Sequence, residues 1–436
     1  MKKKLIISRY VNFDEDVVWN WNDEERIEAE KEIDVFNDKS ETAEVEVGED
    51  EFDDRLVRGF RSLTDVYQRC NVAIFEPMNY EETANDPNWV AAMKVELLMI
   101  EKNETWSLVN RPFDKKIIGV KWVFKIELNV DGSINKYKAR LVVKGYAQQY
   151  GIDFFDTFAP VARLDTIRLL LALSAHQNWK VYQLDVKSAF LNGFLEEEIY
   201  VEQPEGFVKL GAEDKVFKLK KALYGLKQAP KAWYNRIDHF LLKKGFIKSL
   251  SELTLYVRVK SHDVLIVSLY VDDLLITGSN FELVEQFKVQ MFEDFEMTDL
   301  GEMAFFLGME VYQTYDGIFI GQQKYAKEVL KKFNMEGCKE MSTPLMHNEK
   351  FCKDDGSNRA DERLYKSLIG CLMYLTATRP DIQFAISLLS RFMHCTSELN
   401  LKSAKRVLRY IKGTLEFGIM FGRMVEVNLH GFSDSD

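Results

Sequence analysis

Three aspartates carry the chemistry to be expected of this chain. Asp272 and Asp273 are adjacent within Tyr270-Val271-Asp272-Asp273, between two apolar β-like runs, Val264 to Leu269 and Leu274 to Thr277. Neighbouring carboxylates at a half-buried hairpin tip repel one another and lose hydration, so they are costly. A divalent cation offsets both costs, because hard Mg²⁺ prefers carboxylate oxygen. Asp185 ends another apolar strand-like run, Tyr182-Gln183-Leu184-Asp185-Val186. An Asp on one strand facing an Asp-Asp tip would build a two-metal nucleotidyl-transfer site. The plainer alternative is turn chemistry, since Asp caps its own backbone, with Asp185 an ordinary strand end.

The elements that must hold these residues are legible from periodicity. Residues 117–147 read as a β-hairpin turning at Asp131-Gly132. Its return strand carries Lys138, Arg140 and Lys144, two and four apart, so all three are expected to point into one groove and bind a triphosphate. An exposed strand face with snorkelling side chains is the alternative. A helix is predicted over Trp89 to Ile100, started by Asp86-Pro87, with Val90, Met93, Leu97 and Ile100 buried. Ile167 to Ala175 reads as a short buried helix, Trp233 to Lys243 as an amphipathic one, and Phe281 to Phe292 as a third. A helical region is predicted from Asp361 to Tyr410, including Leu364 to Thr376 and Ile382 to Phe392. Strands mixed with segregated helices give an α+β class.

Charge is unevenly distributed. The 436 residues carry a net −11, but residues 1–54 hold 19 acidic and 7 basic side chains, whereas residues 111–260 hold 26 basic and 16 acidic. A basic surface beside an acidic site suits a phosphate backbone. Five cysteines without a C-x-x-C pair read as reduced thiols of an intracellular protein rather than a zinc site. Apolar runs fall short of the roughly 20 residues needed to cross a bilayer, so no membrane partner is expected.

Seven ordered segments resemble the reverse transcriptase region of copia-type retrotransposon Pol polyproteins. They are Trp122-Val123-Phe124-Lys125, Lys138 to Gly145, Phe158 to Arg163, Leu184 to Gly193, Ala222 to Pro230, the Tyr270 to Asp273 box, and Phe306 to Glu310. The resemblance implies a right-hand polymerase of fingers, palm and thumb. It further implies an RNA- and DNA-directed DNA polymerase using two Mg²⁺ or Mn²⁺ ions held by Asp185, Asp272 and Asp273. Phe190 would be the aromatic gate beneath the sugar, and Tyr224, Gly225, Lys227 and Gln228 would belong to a loop packed on the nascent base pair. Leu307, Gly308 and Met309 would form the primer grip. The implied partners are deoxynucleoside triphosphates and an RNA or DNA template with primer. The implied location is a cytoplasmic virus-like particle, with nuclear presence of the product; oligomeric state is left open.

The same resemblance divides the chain into an acidic, largely disordered post-integrase linker (1–54), a helical lead-in (55–102), the reverse transcriptase domain (103–345), a connection region (346–428) and the start of a ribonuclease H domain (429–436). Asp434 would be that domain's first metal ligand; its later carboxylates are missing, so ribonuclease H activity is not expected. The competing expectation is a catalytically inactive transposon remnant that at most binds nucleic acid.

Overall fold

The computed structural model describes residues 76–128, 134–346, 351–353 and 356–423. The expected linker over 1–54, the Asp131-Gly132 turn and the Asp434 strand lie outside the described residues. The described part opens with α1 (Pro87–Lys102), in which the Asp86 carboxylate accepts from Asn88 N and Pro87 occupies the first turn. Four strands follow: β1 (Trp106–Val109), β2 (Ile117–Ile118), β3 (Val120–Leu128) and β4 (Ile134–Val143). Strands β3 and β4 form a two-stranded antiparallel hairpin.

The centre of the molecule begins at α2 (Leu164–Gln177) and β5 (Val181–Val186), and continues through β6 (Tyr200–Val201), β7 (Val216–Leu219), α3 (Ala229–Lys243) and β8 (Ile247–Lys248). Then come β9 (Leu255–Lys260), β10 (Asp263–Tyr270), β11 (Asp273–Gly278), α4 (Phe281–Asp294) and β12 (Met297–Glu302). Six of these strands form one antiparallel sheet in the order β12-β5-β11-β10-β9-β8. One face buries Leu184, Leu269 and Leu274 beneath Trp233 and Phe240 of α3 and Phe287 of α4. The other buries Val181, Ile266 and Leu275 against Ile167 and Leu171 of α2. Burial on both faces explains why β10 and β11 read as continuous apolar runs rather than alternating ones.

Strands β13 (Phe305–Phe306), β14 (Met309–Gln313) and β15 (Gly317–Gly321) pack Met309, Val311 and Ile320 onto that second face. Helices α5 (Gln323–Lys332), α6 (Glu362–Leu375), α7 (Gln383–Ser390) and α8 (Glu398–Lys412) build a separate apolar cluster, after which β16 (Gly418–Gly422) returns to pair with β15. The result is a mixed α and β architecture. Two expectations need correcting. The buried stripe of α1 is Trp89, Met93, Glu96 and Ile100, with Val90 and Leu97 only partly covered. Helix α2 is longer than expected and buries one side only, leaving Leu169 and Leu173 exposed, because a sheet covers just one face of it.

Candidate active site

The sheet register brings the three aspartates to one end of the interior strands β5 and β11. Asp273 opens β11 and stands directly opposite Asp185 on β5, while Asp272 lies in the β10–β11 turn. That turn is held by two hydrogen bonds: Val186 N donates to Asp272 O at 2.9 Å, and Trp233 Nε1 of α3 donates to Val271 O at 2.6 Å. Val271 sits at φ +57°, a left-handed conformation costly for a β-branched residue. The tip is therefore fixed in a strained shape by the strand and helix on either side of it.

Burial governs the electrostatics. It holds the carboxyls of Asp185 and Asp272 above their usual range, and the charge of Asp185 adds to the effect on Asp272. Asp273 is pushed up to about 7, mainly by burial, although Gln183 Nε2 donates to its Oδ1 at 2.9 Å and pulls the other way. Lys138 and Arg140 are close enough to favour ionisation of both Asp185 and Asp272. Lys138 pairs with Glu127 across the hairpin at 3.1 Å. Arg140 lies 4.7 Å over the Tyr224 ring, and Phe190 meets the same ring at 5.2 Å. A cation, two aromatic rings and the carboxylates are thus gathered from β4, the Tyr224 loop, the turn after β5 and the β10–β11 tip.

Other expected site residues stand differently. Lys144 lies one residue past the end of β4, where strand alternation no longer sets its direction. A Cβ on Gly119 would meet Lys144 Cδ at 3.1 Å and Glu202 Oε2 at 3.4 Å, so both side chains lie over Gly119. Gln228 is 3% exposed, with its side chain bonded to Gln148 Nε2 and Asp153 O. It ties the Tyr224 loop to residues 145–154. Gly225 has φ +90°, and a Cβ there would meet Val143 O at 2.2 Å, so the close neighbour it admits is the backbone of β4. Lys227 is exposed and reaches over the Phe154 ring at 4.6 Å. Leu307 and Gly308 form a two-residue turn between β13 and β14, both with positive φ, while Leu307 and Met309 bury their side chains in the core. Tyr374 of α6 donates to Leu307 O, and Tyr270 packs on Phe306 at 6.0 Å. This turn therefore adjoins the strand that leads into the carboxylate tip.

Glu96 was not anticipated. It is buried, and its Oε1 accepts from Leu141 N at 3.3 Å. An acidic residue three after Met93 and four before Ile100, within an apolar helical stripe, is the signal that marks it.

The donor set fits a hard divalent ion. Asp185 and Asp272 offer only carboxylate oxygens, crowded and partly desolvated, while one oxygen of Asp273 is engaged by Gln183. Among the described residues no group of three potential ligands is drawn together tightly enough to hold an ion unaided. Mg²⁺ typically takes one or two carboxylates and completes its shell with water and substrate phosphates.

The geometry is thus a six-stranded antiparallel sheet with carboxylates paired across adjacent strands. Residues 103–347 match the family described as reverse transcriptase (RNA-dependent DNA polymerase), and the chain belongs to it. The chain is 39% identical over 362 residues to the retrovirus-related Pol polyprotein from transposon RE1 of Arabidopsis thaliana, a match covering 83% of this chain and 25% of that protein. It is 40% identical over 374 residues to the corresponding polyprotein from transposon TNT 1-94 of Nicotiana tabacum, covering 83% of this chain and 28% of that protein. The chain thus spans about a quarter of the length of these relatives, and carries the reverse transcriptase domain of a copia-type Pol polyprotein.

Proposed function

We propose that this chain is an RNA-directed and DNA-directed DNA polymerase, transferring a nucleotidyl group from a deoxynucleoside triphosphate to a primer 3′-hydroxyl. The observation that carries this reading is the register placing Asp185 beside the Asp272-Asp273 tip, within electrostatic range of Lys138 and Arg140. Asp185 and Asp272 would hold two divalent ions, Mg²⁺ or Mn²⁺, with Asp273 contributing less directly because Gln183 engages it. When bound, such ions lower the pKa of the attacking hydroxyl and neutralise phosphate charge.

The protein's own groups supply the rest. Lys138 and Arg140 bind the triphosphate through charge-assisted hydrogen bonds. Phe190, one ring away from Arg140 through Tyr224, closes the space where a sugar would sit and selects against a 2′-hydroxyl by clash. The Leu307-Gly308 turn holds the primer end beside the tip. Among the described residues no helix is long and apolar enough to cross a membrane, and we place the protein's work on a template-primer within virus-like particles.

Incorporation of labelled dTTP on poly(rA)-oligo(dT) with Mg²⁺, beside Asp272→Asn, tests this. Incorporation by the parent and at least a roughly thousandfold loss in the variant supports the site, since charge stabilisation is the largest single contribution to such reactions. Equal incorporation by both removes Asp272 from the chemistry. No incorporation by a folded parent leaves the inactive-remnant reading in its place.

A further inference from the structure

The hairpin that carries Lys138 and Arg140 has only two strands, so the outer edge of β4 has no ladder partner within its own sheet. Its outward backbone donors fall on alternate residues. Val143 N donates to Tyr224 O at 2.7 Å, and Leu141 N donates to Glu96 Oε1 at 3.3 Å. One acceptor comes from the substrate-side loop. The other is a side chain of α1, which lies outside residues 103–347, the span matching the polymerase family.

The surroundings of this carboxyl are apolar. Ala139, Leu141 and Val143 bury their side chains with Trp89, Met93 and Ile100 of α1. Lys138 and Arg140 occupy the opposite face, because successive strand residues alternate. Glu96 is 8% exposed, and burial is the main cause holding its carboxyl at about 7. No cation lies within ion-pair distance of Glu96 among the described residues; Arg140 and Lys138 act on it only from further off. A buried carboxyl without an ion partner is an expensive way to fill a helix position. An apolar residue there would pack better but leave Leu141 N unsatisfied inside the core.

We propose that Glu96 is a positioning residue for the incoming nucleotide: by latching the outer edge of β4 at Leu141, it fixes the strand segment that aims Lys138 and Arg140 at the carboxylates. It touches neither substrate nor metal. Arg140 is one residue from the latch, so a hairpin that shifts to bring Leu141 N to water carries the guanidinium off the Tyr224 ring. The inference rests on the polymerase reading for the identity of the ligand, but not for the latch itself.

The test uses Glu96→Leu, which removes the acceptor, and Glu96→Gln, which keeps an acceptor oxygen at nearly the same size. In steady-state dTTP incorporation on poly(rA)-oligo(dT), Glu96→Leu raises KM for dTTP about fivefold to tenfold, as expected from one lost hydrogen bond and the displacement that follows, while kcat stays within about twofold. Glu96→Gln restores the parental KM. A merely structural role would lower the active fraction and Tm, leaving KM where it was, and that result overturns the proposal. Amide hydrogen exchange of residues 136–143 is measured on the same three proteins. It is faster in Glu96→Leu and parental in Glu96→Gln if the latch exists; unchanged exchange in Glu96→Leu overturns it. Should the folded parent incorporate nothing, the polymerase reading fails, and the exchange measurement alone decides the latch.

Discussion

Two hairpins meet at the candidate site, and they are supported in opposite ways. The β10–β11 hairpin lies in the interior of a six-stranded sheet, with β9 on one side, β5 on the other and helices over its apolar faces. The β3–β4 hairpin is a sheet of two strands that buries Trp122, Phe124, Leu141 and Val143 in a core shared with α1, β6 and β7, and its outer strand donates single backbone hydrogen bonds to Glu96 and to the Tyr224 loop. The first presents anions and the second cations. The carboxylates, which repel one another, are placed by the part of the molecule least able to relax. The cations, which need only approach a phosphate, are placed by a hairpin with a single ladder. Rigidity is spent where the arrangement is electrostatically unfavourable without its ligand.

The sharpest way to break this comparison is to weaken each hairpin in turn. Leu274→Ala, fully buried at the centre of the large sheet, should lose about 2–5 kcal/mol of unfolding free energy, read as a shift in the urea midpoint. Arg140→Ala should barely move that midpoint but weaken nucleotide use by about tenfold or more in kcat/KM, as expected for a lost charge-assisted contact. If Arg140→Ala destabilises the fold as much as Leu274→Ala, the two hairpins are not supported differently.

A smaller effect concerns protons. Glu96 has a folded value of about 7 against an ordinary 4.5, and Asp273 is likewise pushed up to about 7. Between these limits the folded protein keeps protons that the unfolded chain has released. Stability is therefore greatest below about pH 4.5 as far as these groups go, falls as pH rises towards 7, and levels off above it. Glu96→Gln removes one such group, so its Tm should decline less across this window, by an amount worth at most about 3 kcal/mol. A parental slope identical to that of the variant would mean that Glu96 titrates normally. The smallest expected effect is at the tip. Val271→Gly relieves a left-handed valine and should change stability by about 1 kcal/mol or less, with relief of strain opposed by the entropy of glycine. Incorporation should still fall several-fold if the strained shape is what keeps Asp272 in place.

Much of this was open to reading from residues alone, for reasons that are themselves physical. Asp185, Asp272 and Asp273 each follow or precede a largely apolar run, and such runs mark strands buried on both faces. The helices showed their period even where their ends shifted. What escaped was set by distant partners. Gln228 is consumed by Gln148, eighty positions earlier, and nothing near either residue announces the pairing. The Leu307-Gly308 turn has little local signature, because leucine at positive φ is no turn signal. Glu96 was legible in principle, since a helical wheel places it on the buried stripe once Trp89 rather than Val90 sets the phase.

The pairing of β16 with β15 sets an order of events during synthesis. Strand β15 leaves the ribosome early, but its outer neighbour arrives only after the four helices α5 to α8 have been made. Until then one edge of that sheet stands open, with Ile318 and Ile320 on a strand ready to join any other chain. An edge left open in this way is a template for pairing with another chain, and the arrival of β16 closes it.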